Sequence, residues 1–314
     1  MEAITLSQNV NNSVDNFAGF GCKEHELIRD SIIVIFTLDT TDENTKINEI
    51  CQIAAWCKGN TFQEYMLPNN LISRQSSSIH GFQGGRSTLL HYGQVVNALS
   101  PKEGLETFLV FLSNQTSGTR KVLLAAHSCS TFHRYVIVRL VKQYGLLDHF
   151  QSLVLGFIDT VPVFKSVLPN RAQEGKSFRL EDLAKEYLDE TDIPEQKHAV
   201  VNVDILVKLI QVTGCTDAVM TQHAENFDEF IRFIDLKNDF EVTVTVPMLK
   251  KIAKAGISTH MLKDAYNANG AEDVSNLLRE EVDGKARVTK DKKVIQKVTT
   301  RLSQLINSNS GNAN

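Results

Sequence analysis

Asp39 is the first residue of the chain placed to do chemistry. It follows an apolar run, Ile32 to Phe36, and stands in the middle of the sequence Thr37-Leu38-Asp39-Thr40-Thr41. The apolar run ends abruptly there, and an edge where a central strand stops and polar side chains start is where α/β proteins commonly set their sites. His127 and His133 bracket Cys129 further on. Zinc ligation is one reading of that trio, but tetrahedral zinc takes four ligands and no second Cys/His pair follows at short spacing. Cys129 as a nucleophile beside His133 is another, without an evident acid to orient the imidazole. A packed histidine pair is the third. Asp159-Thr160 directly follows an apolar run and offers either a ligating carboxylate or a helix cap. Gly81, Gly84 and Gly85 lack the Lys-Ser/Thr pair of a phosphate loop and read as connector.

A second kind of chemistry is electrostatic. Lys285, Arg287, Lys290, Lys292, Lys293 and Lys297 crowd a short stretch near the C-terminus. Such clusters contact nucleic-acid phosphates. No aromatic residue interleaves them, so stacking on bases is not indicated. The competing reading is the solvated face of a helix whose other face carries Val294, Val298 and Leu302.

The elements that must position these residues follow from periodicity. Ser31–Leu38 reads as a buried strand, too continuous in aliphatics for an exposed edge. Ile47–Trp56 and Thr61–Leu67 read as two more, joined through Gly59-Asn60 as a hairpin. Residues 68–101, rich in Gly and Pro, read mostly as connector, with Ile79-His80-Gly81-Phe82 the one piece that stands out. Helices are expected over Glu103–Leu112, Thr131–Tyr144, Arg179–Tyr187 and Ala199–Thr213, and strands over Val122–Ala126 and Leu153–Ile158. Strand-to-helix steps of this size make parallel crossovers. The sum is an α/β fold of ribonuclease H-like type: three antiparallel strands, then parallel ones, flanked by helices.

Beyond Gly214 the pattern becomes helical, with four short helices from Pro247 onward. Stops are expected at Gly256, Gly270 and Gly284, and a last helix from Thr289. The expected divisions are a flexible segment 1–28, a sheet domain 29–214, a helical domain 215–307 and a disordered tail 308–314. The chain carries a formal net charge of −4, yet residues 247–314 hold 12 Lys/Arg against 7 Asp/Glu, a basic module on an acidic body. Five cysteines without close pairing argue for reduced thiols. No apolar run reaches the ~20 residues that span a bilayer. A non-secreted protein, nuclear or cytoplasmic and without a membrane partner, is the expectation.

Several stretches carry a resemblance: YMLPNNLISRQSSSIHGF, LHYGQVVNALSPKEGLETFLVFL, AAHSCSTFHRYVIVRLV, GFIDTVPVFKSVLP, FRLEDLAKEYL and, in the tail, KKIAKAGISTHMLKDAYNANG. In number and order they resemble the DEDDh 3′–5′ exonucleases, and within them the sub-group related to the exonuclease-like C-terminal region of promyelocytic leukaemia protein. The resemblance covers about nine-tenths of the chain. It implies hydrolysis of a phosphodiester by two Mg²⁺ ions held by carboxylates about 4 Å apart, with a histidine as base.

The residues carried over do not keep that set. The family's first two acids fall on Thr37 and Asp39, its motif-two acid on His133, and its motif-three His and Asp on Lys197 and Asn202. A shift of one residue brings His198 to the base position but leaves Val203 where an acid is needed, with Asp204 one further on. One ligand of four survives. The resemblance therefore implies a degenerate exonuclease with no cofactor. It would act as a protein- or nucleic-acid-binding scaffold through the basic C-terminal helix, with self-association as a further expectation and a link to nuclear or antiviral processes. The competing expectation is a residual Mg²⁺- or Mn²⁺-dependent 3′–5′ exonuclease on DNA or RNA, with Asp159 or Asp204 recruited beside Asp39.

Overall fold

The computed structural model describes residues 28, 30–116, 120–194, 198–282 and 284–310. The expected flexible segment 1–28 lies, but for Ile28, outside the described residues, as do Lys197 and the last four residues of the tail. The chain divides between Ala224 and Glu225 into two compact units. The sequence places the division after Gly214; Cys215 and Met220 move it, because both are buried in the first unit's core.

The first unit is built on β1 (Ile32–Thr40), β2 (Ile50–Cys57), β3 (Asn60–Tyr65), β7 (Val122–Ala126) and β8 (Val154–Asp159). The order of these strands in the sheet is β3-β2-β1-β7-β8; the short β9 (Ala224–Asn226) falls at the division between the units. β1 runs antiparallel to β2, and β2 to β3, while β7 lies parallel to both β1 and β8. This is the ribonuclease H-like arrangement expected from the pattern. β1 is central because every one of its nine residues is buried, Thr37, Asp39 and Thr40 included. It therefore extends beyond Leu38, where the change to polar residues suggested an end. β2 begins later than expected, at Ile50, since Ile47 is 59% exposed in the preceding turn. The β2–β3 hairpin turns on Lys58 and Gly59, both at positive φ.

The expected connector is structured. α1 (Arg74–His80) is capped by Ser73, and a small antiparallel sheet follows, β4 (Phe82–Gly85), β5 (Thr88–His91) and β6 (Gln94–Val95). Gly84 and Gly85 are required in its turn: a Cβ on Gly84 would stand 2.3 Å from the Thr88 carbonyl oxygen. Phe82 and Leu89 bury against Cys51 and seat this insert on β2. α2 (Pro101–Gln115) opens with a capping box between Ser100 and Glu103.

α3 (His133–Gln143) follows β7. α4 (Leu147–Leu153), α5 (Thr160–Val167) and α6 (Pro169–Gln173) surround β8. α7 (Leu180–Tyr187) and α8 (Ala199–Val212) pack Leu183, Ala184, Val203 and Leu206 with Ile33 and Ile35 of β1. α9 (Asp217–Thr221) ends the unit.

The second unit is helical. α10 (Phe227–Phe240) buries Phe230, Phe233, Leu236 and Phe240 along one stripe, and α11 (Val246–Lys254) adds Leu249 and Ile252. α12 (Thr259–Arg279) is capped by Ser258 and broken at Gly270, as expected. It stops before Val282; β10 (Glu281–Val282) and β11 (Lys285–Ala286) form a hairpin about Gly284 instead. α13 (Lys292–Ser310) begins behind an Asp291 cap and carries residues 308–310, which the sequence assigns to a disordered tail.

Candidate functional site

Three side chains form a row across the first unit's sheet. Asp39 pairs with Gln52 in the β1–β2 register, and Gln52 with Tyr65 in the β2–β3 register. Directly paired residues share a face, and this is the face that α8 covers, where Gln52 Oε1 accepts the backbone N–H of Ala199 at 3.1 Å.

The insert closes over the row. Ser73 N donates to the Thr41 carbonyl at 2.8 Å, and Ser76 Oγ donates to the Thr40 carbonyl. Glu49 accepts Asn69 Nδ2 at 3.0 Å and Asn70 N at 2.6 Å. So tethered, α1 ends with His80 Nδ1 3.0 Å from Asp39 Oδ1. β5 brings His91, whose Nδ1 lies 3.2 Å from the Tyr65 hydroxyl and whose ring stacks on Phe82. His198, at the N-cap of α8, meets His91 edge-on at 5.3 Å.

The site is dense in buried polar atoms without hydrogen-bond partners: both oxygens of Asp39, Gln52 Nε2, His80 Nδ1, His91 Nε2 and His198 Nδ1. The Asp39–His80 approach is an ion-pair distance, but its angle does not make a hydrogen bond. Burial pushes the His91 and His198 imidazoles below their ordinary range, with Asp39 pulling the other way; for His91 the neighbouring His198 adds to the drop. Burial, then Asp39, raises the Tyr65 hydroxyl and the Cys51 thiol, so that thiol is no nucleophile.

The positions expected from sequence are only partly brought together. Thr37 and Asp39 share a face. His133 packs edge-on against Phe36 at 5.7 Å, and alternation along β1 puts Phe36 opposite to Thr37 and Asp39. Burial, reinforced by the charge of His127, pushes the His133 imidazole down to about 4. Asn202 lines a groove of about 270 Å³ with Leu180, Ala184 and Pro194. Asp204 is exposed and pairs with Lys208 at 3.0 Å. Asp159 is a cap: it accepts Val161 N at 3.0 Å and Ser130 N at 2.9 Å. His127 is held by Thr160 Oγ1 at 3.0 Å and the Phe178 carbonyl at 2.8 Å. Among the described residues, no three His, Cys, Asp or Glu side chains are arranged to hold a metal ion.

The basic run of the second unit divides into two sets. Arg287 donates to the Ala255 carbonyl at 2.9 Å and pairs with Glu280, while Lys290 pairs with Glu281. Lys285, Lys292, Lys293 and Lys297 are exposed. Sequence reasoning missed His91, Gln52 and Tyr65 as site residues; strand alternation through β2 and β3 was the signal that could have aligned the last two with Asp39.

Comparison with known proteins gives two family matches. Residues 31–187 match the profile described as the Exuperantia RNAse H-like domain, and residues 241–305 that described as the PML C-terminal domain. The maternal protein exuperantia of Drosophila virilis is 27% identical over 177 residues, 54% of this chain and 35% of its own length. That of Drosophila melanogaster is 26% identical over 158 residues, 47% of this chain and 30% of its own length. The chain thus spans about a third of the curated relatives it matches. Among solved structures, E. coli exonuclease I in a zinc-bound complex with single-stranded DNA has a TM-score of 0.45 at 14% identity. The match covers 70% of this chain and 46% of that one.

Proposed function

This chain belongs to the Exuperantia RNase H-like domain family, and we propose that it is a non-catalytic exonuclease fold that acts as a scaffold for a protein or nucleic-acid partner. The observation that carries the reading is the fate of Asp39. It is 1% exposed beneath His80, the one acid kept of the four expected from the resemblance. Two-metal phosphodiester hydrolysis needs several carboxylates around hard cations. Threonine at 37, imidazole at 133 and amide at 202 supply none, and imidazole prefers softer metals. The two acids available as substitutes are already committed, Asp159 to capping α5 and Asp204 to Lys208.

The partner is a protein, nucleic-acid phosphates met through the lysines of the basic run, Lys285, Lys290, Lys292, Lys293 and Lys297, with Arg287 among them held by the Ala255 carbonyl and Glu280, or a second copy of the chain. The tail's match to the PML C-terminal domain supports a place in nuclear or antiviral processes of that type. Among the described residues, no helix is long and apolar enough to cross a membrane.

The test is a nuclease assay on labelled single-stranded DNA and RNA across a Mg²⁺ and Mn²⁺ titration. No cleavage above a protein-free control is expected. Metal-dependent cleavage that disappears in Asp39→Ala would overturn the reading in favour of a residual exonuclease.

A further inference from the structure

A groove of about 650 Å³ opens in the first unit, lined by His127, Ser128, Val161, Lys165, Lys176, Phe178 and Arg179 among others. It contains none of Thr37, Asp39, His133 or Asn202. His127 and Ser128 follow β7 directly, and Val161 lies in the first turn of α5, which follows β8. The groove therefore sits at the carboxyl ends of two adjacent parallel strands, where open α/β sheets take their ligands. Its volume is that of a small-molecule site.

Its charge has one sign. Lys165, Lys176 and Arg179 line it, and no acid does. Three acids outside the lining pair with these cations: Glu174 is 2.9 Å and Glu186 3.8 Å from Lys176, and Asp182 is 2.9 Å from Arg179; a fourth, Asp159, acts on the His127 imidazole and is engaged by Val161 N and Ser130 N. These are exposed pairs, which hold their partners weakly, so the cations can turn to an anion in the groove.

An aromatic ring stands among them. Phe178 has the Arg171 guanidinium 5.6 Å and the Lys165 ammonium 5.7 Å from its centroid. Arg171 is buried and fixed by the Ser177 carbonyl and Glu186; Lys165 is exposed and free to swing from the ring to a phosphate. His127, which accepts from or donates to Thr160 and donates to the Phe178 carbonyl, pins this ring to the end of β7. Ser128, at the groove wall, adopts φ 60°, a conformation uncommon outside glycine and frequent at binding sites.

We propose that this groove binds a nucleotide unit, its phosphate against Lys165, Lys176 and Arg179 and its base against Phe178. The same chemistry is offered by a free nucleotide and by a single-stranded nucleic acid. The recognition is independent of sequence, since every base has a face to stack. This goes beyond the non-catalytic reading, because a groove apart from Asp39 binds whether or not cleavage occurs.

Fluorescence anisotropy of the full chain with a labelled mixed-sequence oligonucleotide tests it, competed with adenosine monophosphate and with inorganic phosphate, at low and at physiological salt. The triple change Lys165→Gln, Lys176→Gln, Arg179→Gln is expected to weaken binding about tenfold or more and to flatten its salt dependence. All three residues are exposed, and an unchanged melting temperature verifies the fold. Phe178→Leu is expected to weaken binding while keeping the salt slope. Competition by the mononucleotide assigns the groove to free nucleotides; binding of the oligonucleotide alone assigns it to strands. Unchanged affinity in the triple variant overturns the proposal, as does the absence of binding by every probe, or binding lost only in Lys292→Gln, Lys293→Gln, Lys297→Gln. None of these outcomes depends on the nuclease assay.

Discussion

The imidazole of His80 stands 3.0 Å from the carboxyl of Asp39, over the end of the central strand, and leaves that carboxyl 1% exposed. Removing one member of a buried pair leaves the other desolvated without compensation. His80→Ala is therefore expected to destabilise the first unit by about 1–3 kcal/mol, and Asp39→Asn by less, since a neutral amide is cheaper to bury. Urea unfolding of the two single variants and the double variant gives the coupling. Additive effects would show that the contact contributes nothing.

A second expectation concerns pH. Held in the fold, His133 takes up a proton only near pH 4, below its ordinary value of 6.5, because burial and the charge of His127 oppose it. The unfolded chain protonates near 6.5, so between these values it binds more protons than the native state. Stability therefore falls as the pH drops through that window, by on the order of 3 kcal/mol for this group at the lower end. Burial lowers His91, His127 and His198 as well, and they act in the same direction. His133→Phe should flatten part of the slope in urea melts taken from pH 7 to pH 4. A slope equal to that of the unaltered chain would remove His133 from the account.

How much of this was legible in the sequence depended on the length of each element. Val122–Ala126 was read to the residue, because five apolar positions between polar flanks admit one register. β1 is legible in place but not in extent: polar type suggests exposure, whereas Thr37, Asp39, Thr40 and Thr41 are all buried. The insert was not readable, since its helix has seven residues and its strands two to four, too short to show a period. That loss hid the site. His80 and His91 lie far from Asp39 in sequence and are brought towards it by the hydrogen-bonded tethers of Ser73, Ser76 and Glu49, while His198 is brought by the bond of Gln52 to Ala199 N.

The insert should be vulnerable at Gly84. With φ 94° and the Thr88 carbonyl 2.3 Å from where a Cβ would stand, Gly84→Ala meets immovable backbone. It is expected to cost about 2 kcal/mol or more and to raise amide hydrogen exchange first through β4 and β5. Gly59→Ala, with nothing within 4 Å of its Cβ, carries only the cost of its positive φ and serves as the control. Equal effects from the two would mean that the Thr88 contact does not constrain the turn.

The basic run should separate into structural and solvated members. Arg287 is 10% exposed, spans from Glu280 to the Ala255 carbonyl and so fastens the hairpin to the end of α11. Arg287→Ala leaves that carbonyl and Glu280 without their partner, a loss of about 1–3 kcal/mol, and the second unit should melt at lower denaturant. Arg287→Lys restores charge but not the two-armed geometry, so only a minor part should return. Lys292→Gln, Lys293→Gln, Lys297→Gln alters exposed positions of α13 whose inward face is Ile295, Val298 and Leu302, and should leave the melt unchanged. If that triple variant alone lowers affinity for a labelled nucleic acid, phosphate contact belongs to the solvated lysines. If Arg287→Ala lowers it with the melt intact, the assignment of Arg287 to structure fails.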